Sequence, residues 1–366
     1  MLTERFGVEV EMDGISVRRA EEVVRARFNS DYDHLGRKWL IVRDSSVPSG
    51  FELVTPPIHY DDIPILQDLF RRLRTAGARR SPLAGIHIHV EARNLLPRQV
   101  QSLVNVYSGN VDLILQMLNV DSGRRLLYAQ PVEPFARRLN ALNSPATWEE
   151  LRSLWYVVAE ASDEHPDRYN SSRYTEINLN SLFYRQTIEF RAFNSTNHAG
   201  KLRTILVLVL ALTSFARRYD GVYPLHIEPI ADKSTAAERA VALFSLLSIG
   251  GPEFRRVRDH LLAGIEKHYR PKDDGSSVVY CFEGQGMFFE GDSHRELLDQ
   301  VVDGRFLDDP NVQAFLTKLR KRSKSLLLKP WLAHEVLTVS DHDGYARAIL
   351  SMMEREGLGL LTTRGA

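Results

Sequence analysis

Four short segments of the chain alternate apolar and polar residues with a period of two. Successive side chains in a strand point to opposite faces of the sheet, so each segment predicts a strand with one apolar and one polar face. The segments are FGVEVEM (6–12), FELVT (51–55), GIHIHVEA (85–92) and TIEFRAF (187–193). A solvated sheet face also alternates, so Glu-x-Glu or His-x-His alone is weak evidence for a site. Their occurrence together with Glu-x-Arg favours a functional face.

The remaining pattern mixes strands with amphipathic helices instead of alternating them strictly. We therefore predict an α+β fold with a largely antiparallel sheet and packed helices. The strand that contains TIEFRAF is expected over 186–194, and further strands are expected over 39–46 and 173–182, the first of these forming a hairpin with 51–55. Helices are expected over 17–28, 63–76, 99–118, 134–142, 148–162 and 198–218. The pattern changes near Tyr223, which predicts domains over 1–222 and 223–366, the second mainly helical with a strand-rich patch at 276–292.

Composition narrows the class of protein. Lys plus Arg and Asp plus Glu are 47 each, and this balance argues against a nucleic-acid or membrane-surface binder. The single cysteine, Cys281, excludes an intrachain disulfide and a cysteine metal cluster. The apolar stretch 204–216 is too short to span a bilayer and predicts a buried helix. With no secretory segment at the start, a cytoplasmic location is expected.

The polar residues of the four strands suit a metal centre. Several carboxylates on one surface repel each other unless cations neutralise them. Mg²⁺ and Mn²⁺ prefer oxygen ligands, and one imidazole is compatible with Mn²⁺. Two such ions can clamp a polyphosphate during phosphoryl transfer, and a neighbouring arginine can hold a phosphate or a carboxylate.

The ordered motifs FGVEVEM, FELVTPPI, GIHIHVEA and TIEFRAFNST resemble the amidoligase family, within the superfamily of glutamine synthetase and glutamate–cysteine ligase. The resemblance covers about residues 6–215. It implies a curved, glutamine-synthetase-like antiparallel sheet that binds ATP and about two divalent ions, Mg²⁺ or Mn²⁺, on its concave face. The implied reaction is ATP-dependent amide formation, in which a phosphorylated carboxylate is attacked by an amine.

The resemblance also implies a role for each matching residue. The implied metal ligands are Glu9, Glu11, Glu52, His87 and Glu189. Arg191 would stabilise the transferring phosphoryl group, so catalysis would depend on Glu9, Glu189 and Arg191. His89 would contact nucleotide phosphate or substrate, or orient a carboxylate. Arg173 and Asn178 would contact phosphate or substrate.

Three functions fit these residues. The first is an ATP-dependent carboxylate–amine ligase whose substrates are a small-molecule or peptide carboxylate and an amine. The second is a metal-dependent phosphohydrolase with water as acceptor, and the third is a non-catalytic nucleotide- or peptide-binding protein. The sequence leaves open whether the chain forms a homo-oligomer or engages a partner through residues 223–366.

Overall fold

The computed structural model describes residues 2–43, 50–80, 84–121, 124–125, 128–142, 145–159, 161, 164–269 and two short strands, 280–281 and 288–289. The chain divides into two compact units, Met1–Arg270 and Pro271–Ala366.

The first unit is built on a six-stranded sheet in which every neighbouring pair of strands is antiparallel. The strand order is β2-β3-β1-β4-β6-β5. The strands are β1 (Phe6–Met12), β2 (Leu40–Val42), β3 (Phe51–Val54), β4 (Gly85–Glu91), β5 (Ile177–Asn178) and β6 (Thr187–Asn194). The expected α+β class, antiparallel sheet and β2–β3 hairpin are confirmed.

Helices account for most of the rest of this unit. They are α1 (Val17–Phe28), α2 (Ile63–Thr75), α3 (Pro97–Ser108), α4 (Val111–Leu118), α5 (Glu133–Asn140), α6 (Trp148–Val158), α7 (Asn180–Arg185), α8 (Ala199–Arg218), α9 (Lys233–Leu246) and α10 (Arg255–His268). In the second unit, β7 (Tyr280–Cys281) pairs with β8 (Phe288–Phe289), inside the predicted strand-rich patch. The helices expected beyond residue 269 lie outside the described residues.

One face of the sheet is fully apolar and buried. Val8 and Val10 on β1 and Ile86 and Ile88 on β4 are each at most 1% exposed, and they join one hydrophobic core with the buried sides of the helices. Helix α8 contacts β4 and packs against α2 and α3. Among the described helices it is long and apolar enough to cross a membrane, yet 83% of its apolar window is buried in the protein. The prediction that 204–216 forms a buried helix is confirmed.

Two predicted elements differ from the structure. The expected strand over 173–182 is reduced to β5, because the Asn178 side chain accepts a hydrogen bond from the backbone N–H of Asn180 at 2.9 Å and turns the chain into α7. The expected helix over 99–118 breaks at Gly109, where a side chain would lie 2.4 Å from the carbonyl oxygen of His226. Asn178 and Gly109 are residue types that favour turns or helix ends, and period alone does not predict their effect.

Helices α9 and α10 belong to the same compact unit as the sheet. Helix α10 packs on α4, where the Cα of Gly264 comes so close that an added Cβ would lie 1.8 Å from the carbonyl oxygen of Met117. The side chain of Asn119 donates to the Gly264 carbonyl at 3.1 Å. The predicted domain boundary at 222/223 therefore falls within this unit.

Shortening a buried side chain of α8 tests the role of this helix in the core. Leu208 is fully buried, so Leu208→Ala should lower the free energy of unfolding by about 2–5 kcal/mol. Leu35 is 62% exposed, and Leu35→Ala should change it by less than about 0.5 kcal/mol. Urea unfolding measures both, and equal effects would contradict a core position for α8.

Candidate functional site

Strand register brings the predicted ligands together on the polar face. The cross-strand pairs are Glu9 opposite His87, Glu11 opposite Glu52, and His89 opposite Glu189. Directly opposed Cβ atoms lie about 4.5–5.5 Å apart, so side chains from four neighbouring strands converge on one patch.

The patch contains two triads of ligand atoms that share His87. The first is Glu9, His87 and Glu189, and the second is Glu11, Glu52 and His87; within each triad the ligand atoms lie within 4.8 Å of one another. The five residues are those predicted as metal ligands, and the structure brings all five together.

His87 lies at the centre of the two triads. Its Nδ1 is 3.5 Å from Glu9 Oε2 and 3.9 Å from Glu189 Oε1, while its Nε2 is 3.8 Å from Glu11 Oε1. The residue is only 6% exposed. His89 lies beside the first triad, with Nε2 3.4 Å from Glu9 Oε1. Of the two histidines on this strand, His87 is therefore better placed as a ligand.

A register shift between β4 and β6 positions Arg191. Ile86 pairs with Phe193 but Ile88 pairs with Phe190, so β6 has one extra residue opposite His87. Arg191 lies in this bulge, and its Nη1 donates to Glu189 Oε1. Its buried Nε has no hydrogen-bond partner among the described residues. The guanidinium therefore keeps a donor available beside the first triad.

The charges of the patch shift the pKa values of its members. Burial alone would raise the pKa of Glu9, but hydrogen bonds from His87 and His89 hold it well below its ordinary value. Burial opposes ionisation of Glu189 too, yet Arg191, His89 and His87 lower its pKa to about 2. Burial disfavours charge on His89, whereas Glu189 and Glu9 raise its pKa. Both carboxylates are thus ionised at neutral pH.

Arg124 is a member of the patch that the sequence did not reveal. It is 4% exposed, its Nη2 lies 3.2 Å from His87 Nε2, and the same nitrogen donates to the Arg191 carbonyl at 3.2 Å. Burial lowers its pKa to about 10, with Glu11 opposing the shift, so it remains a cation. Gly85 makes room for it, because an added Cβ would lie 1.7 Å from Arg124 Nη2.

The patch has an excess of negative charge that a metal would offset. Four carboxylates face two guanidiniums, which leaves a formal excess of two negative charges when both histidines are neutral. Carboxylate oxygens and one imidazole nitrogen are the donors that Mg²⁺ or Mn²⁺ accepts. The residues therefore fit one or two divalent cations.

Asn178 and Arg173 occupy different positions relative to the triads. Asn178 Nδ2 donates to Glu189 Oε2 at 2.6 Å and so fixes that carboxylate. The Arg173 guanidinium lies 4.8 Å from the Tyr174 ring, and the Arg191 guanidinium lies 5.8 Å from the same ring. Both arginines therefore contact the Tyr174 ring, and of the two it is Arg191 that also binds the Glu189 carboxylate. Contact of either residue with phosphate stays a prediction.

A cavity of about 350 Å³ opens beside the first triad. Glu9 and His89 line it together with Arg5, Arg93 and Arg185. Guanidinium groups hold phosphate and carboxylate groups in bidentate fashion. The cavity is therefore suited to an anionic molecule that reaches the triad.

Replacement of one triad carboxylate tests metal binding directly. Glu9→Gln removes a charge and a ligand, so Mn²⁺ should bind at least about tenfold more weakly, as judged by isothermal titration calorimetry. Glu149 is exposed at the start of α6, outside both triads and outside the cavity, and Glu149→Gln is the matched control. Equal Mn²⁺ affinity in Glu9→Gln and wild type would remove Glu9 from the metal centre.

Arg124→Gln tests whether the guanidinium competes with a cation at the second triad. The variant loses a positive charge next to His87 and Glu11, so Mn²⁺ should bind more tightly, by up to about tenfold. Without metal, the same variant should be less stable, because the carboxylates then repel each other more strongly. Thermal unfolding with and without Mn²⁺ measures both effects. Weaker Mn²⁺ binding would show that Arg124 supports the metal centre instead of competing with it.

A comparison with protein-family models supports the sequence resemblance. The family model described as "Putative amidoligase enzyme" matches residues 2–213. The chain is also similar to a solved structure titled "Crystal structure of novel glutamine synthase homolog", with 11% identity and a TM-score of 0.35. That similarity covers 73% of this chain and 66% of the other, less than two thirds of its length, and it establishes neither a shared fold nor a shared activity.

A search of curated proteins finds no match. The family match spans more than half of the chain and includes all four strands that carry the triads. The chain therefore belongs to the amidoligase family.

Proposed function

We propose that this chain is an ATP-dependent carboxylate–amine ligase that forms an amide bond through an acyl phosphate. The observation that carries the proposal is the pair of triads sharing His87, with Arg191 beside them, on strands inside the family match. A carboxylate of the substrate would attack the γ-phosphorus of ATP, releasing ADP. An amine would then attack the acyl carbon, releasing phosphate and a proton.

The charge of the patch supports a metal requirement. Divalent cations held by Glu9, Glu11, Glu52, His87 and Glu189 would neutralise phosphate oxygens and orient them for transfer. The same carboxylates would repel a phosphate chain when no cation is bound, because the patch is formally negative. The residues themselves therefore favour phosphate binding only together with a divalent cation.

Arg191 supports the phosphoryl-transfer step. Its Nη1 is held by Glu189, which fixes the guanidinium in place, while its Nε has no partner among the described residues. Asn178 holds the second oxygen of Glu189. A donor fixed in this way before substrate binds stabilises charge that develops on the transferring group at little reorganisation cost.

The cavity beside the first triad supports an anionic substrate. Arg5, Arg93 and Arg185 line it, and it reaches Glu9 and His89. A phosphate chain or a substrate carboxylate would meet these guanidiniums and end next to the triad. His89 lines the cavity beside Glu9 and would therefore be placed to contact the bound group.

Isotope transfer separates a ligase from a phosphohydrolase. With ATP, Mg²⁺ and amino acids or dipeptides ¹⁸O-labelled in the carboxylate, a ligase transfers one label to inorganic phosphate. A phosphohydrolase takes that oxygen from solvent water instead. Hydroxylamine serves as a general amine, because it converts an acyl phosphate into a hydroxamate. Nucleotide binding without phosphate release under any condition would indicate a binding protein.

Variants connect turnover to the triads. Glu189→Gln and Arg191→Gln should each lower the rate of hydroxamate formation at least about 10²-fold, the usual cost of losing one charge-stabilising group. Glu149→Gln, which lies outside the triads and the cavity, should remain active. Unfolding curves confirm that the variants fold. Full activity in Glu189→Gln would remove that residue from catalysis.

A further inference from the structure

A second cavity, of about 400 Å³, lies between α2, α8 and α10. It shares no lining residue with the cavity beside the triads. Among the residues that the structure describes, no aspartate or glutamate lines it. The charged and titratable side chains that line it are Arg71, Arg74, His198, Arg203, Arg256 and His260.

Three of these arginines have no counter-charge. The guanidinium groups of Arg71, Arg74 and Arg256 form no hydrogen bond or ion pair with other residues that the structure describes. Their neighbours in sequence differ: Arg72 pairs with Asp68 at 3.2 Å, and Arg255 with Asp259 at 3.8 Å. All five of these arginines are exposed to solvent, but Arg72 and Arg255 are paired with aspartates, whereas the three that line the cavity are not.

The start of α8 adds further donors. Its cap residue His198 accepts a hydrogen bond from the backbone N–H of Lys201 at 3.1 Å through Nδ1, so a neutral His198 carries its proton on Nε2. Ala199 and Gly200, the first residues of this 20-residue helix, also line the cavity. Gln67 on α2 donates to the Ala199 carbonyl at 2.9 Å and holds the helix start in place.

Two groups at or near the cavity have lowered pKa values, mainly because they are buried. Burial lowers the pKa of Lys201 to about 8, with Arg80 and Lys267 adding to the shift. Burial also lowers the pKa of His260, with His198 and Lys201 contributing. The smaller contributions come from neighbouring cationic or protonatable groups, and a bound anion would oppose that part of each shift.

We propose that this cavity binds a small anion carrying two or more phosphoryl groups. Four guanidiniums and the first turn of a helix concentrate donors in one small space, which matches the charge density of linked phosphates better than that of a single carboxylate. The volume of about 400 Å³ suits a small molecule. This site does not depend on the proposed ligase activity.

Pyrophosphate, titrated calorimetrically without divalent cations, is the probe. The cavity variant is Arg71→Gln with Arg256→Gln, and the control is Arg72→Gln with Arg255→Gln, which removes the same charge from the same helices. We expect the cavity variant to bind at least about tenfold more weakly than wild type, because charge-assisted hydrogen bonds are lost. The control should stay within about twofold, because solvent screens its exposed pairs.

Two further measurements test where pyrophosphate binds and which anions the site prefers. Arg5→Gln with Arg93→Gln alters the other cavity and should leave pyrophosphate binding unchanged. Citrate should bind more weakly than pyrophosphate. The proposal is overturned by absence of pyrophosphate binding to wild type at millimolar concentration, by equal losses in cavity and control variants, by a loss confined to Arg5→Gln with Arg93→Gln, or by equal affinity for citrate.

Discussion

Repulsion among four carboxylates on one half-buried sheet face is the constraint on which the rest of this site depends. Strand register brings Glu9, Glu11 and Glu189 together. The apolar face on the opposite side of the sheet fixes that register. A one-residue slip would turn every ligand into the core, so hydrophobic burial holds the charges in place. Arg124 and Arg191 offset part of this negative charge. The negative charge that remains favours the binding of divalent cations.

The sequence predicted which face of the sheet each strand side chain occupies, but apart from the β2–β3 hairpin it did not predict which strands are neighbours. Period-two alternation places His87 and Glu189 on the polar face, because side-chain direction in a strand is local. It does not say that Glu11 lies opposite Glu52, since pairing depends on strand order. Arg124 was missed for the same reason. It lies outside every regular pattern and reaches the site only through tertiary folding.

Gly85 contacts both a carboxylate and a guanidinium of the site. Its backbone N–H donates to Glu11 Oε2 at 2.6 Å, and its missing side chain leaves the space that the Arg124 guanidinium fills. Gly85 therefore holds the Glu11 carboxylate in position and leaves space for the Arg124 guanidinium. A glycine before alternating Ile and His looks like a strand boundary in sequence. Its importance follows from contacts made by a segment about 40 residues away.

The two cavities described above differ in the charges of the residues that line them. Beside the triads, guanidiniums share the cavity lining with Glu9 and Glu91, so a phosphate group meets attraction and repulsion together. Between α2, α8 and α10, the described lining residues include cationic groups and no carboxylate. Divalent cations should therefore strengthen phosphate binding at the first cavity, where they offset carboxylates. At the second they should weaken it, because they compete with the guanidiniums for the phosphate oxygens. Metal dependence would thus distinguish the two proposed anion sites in a chain whose net charge is zero.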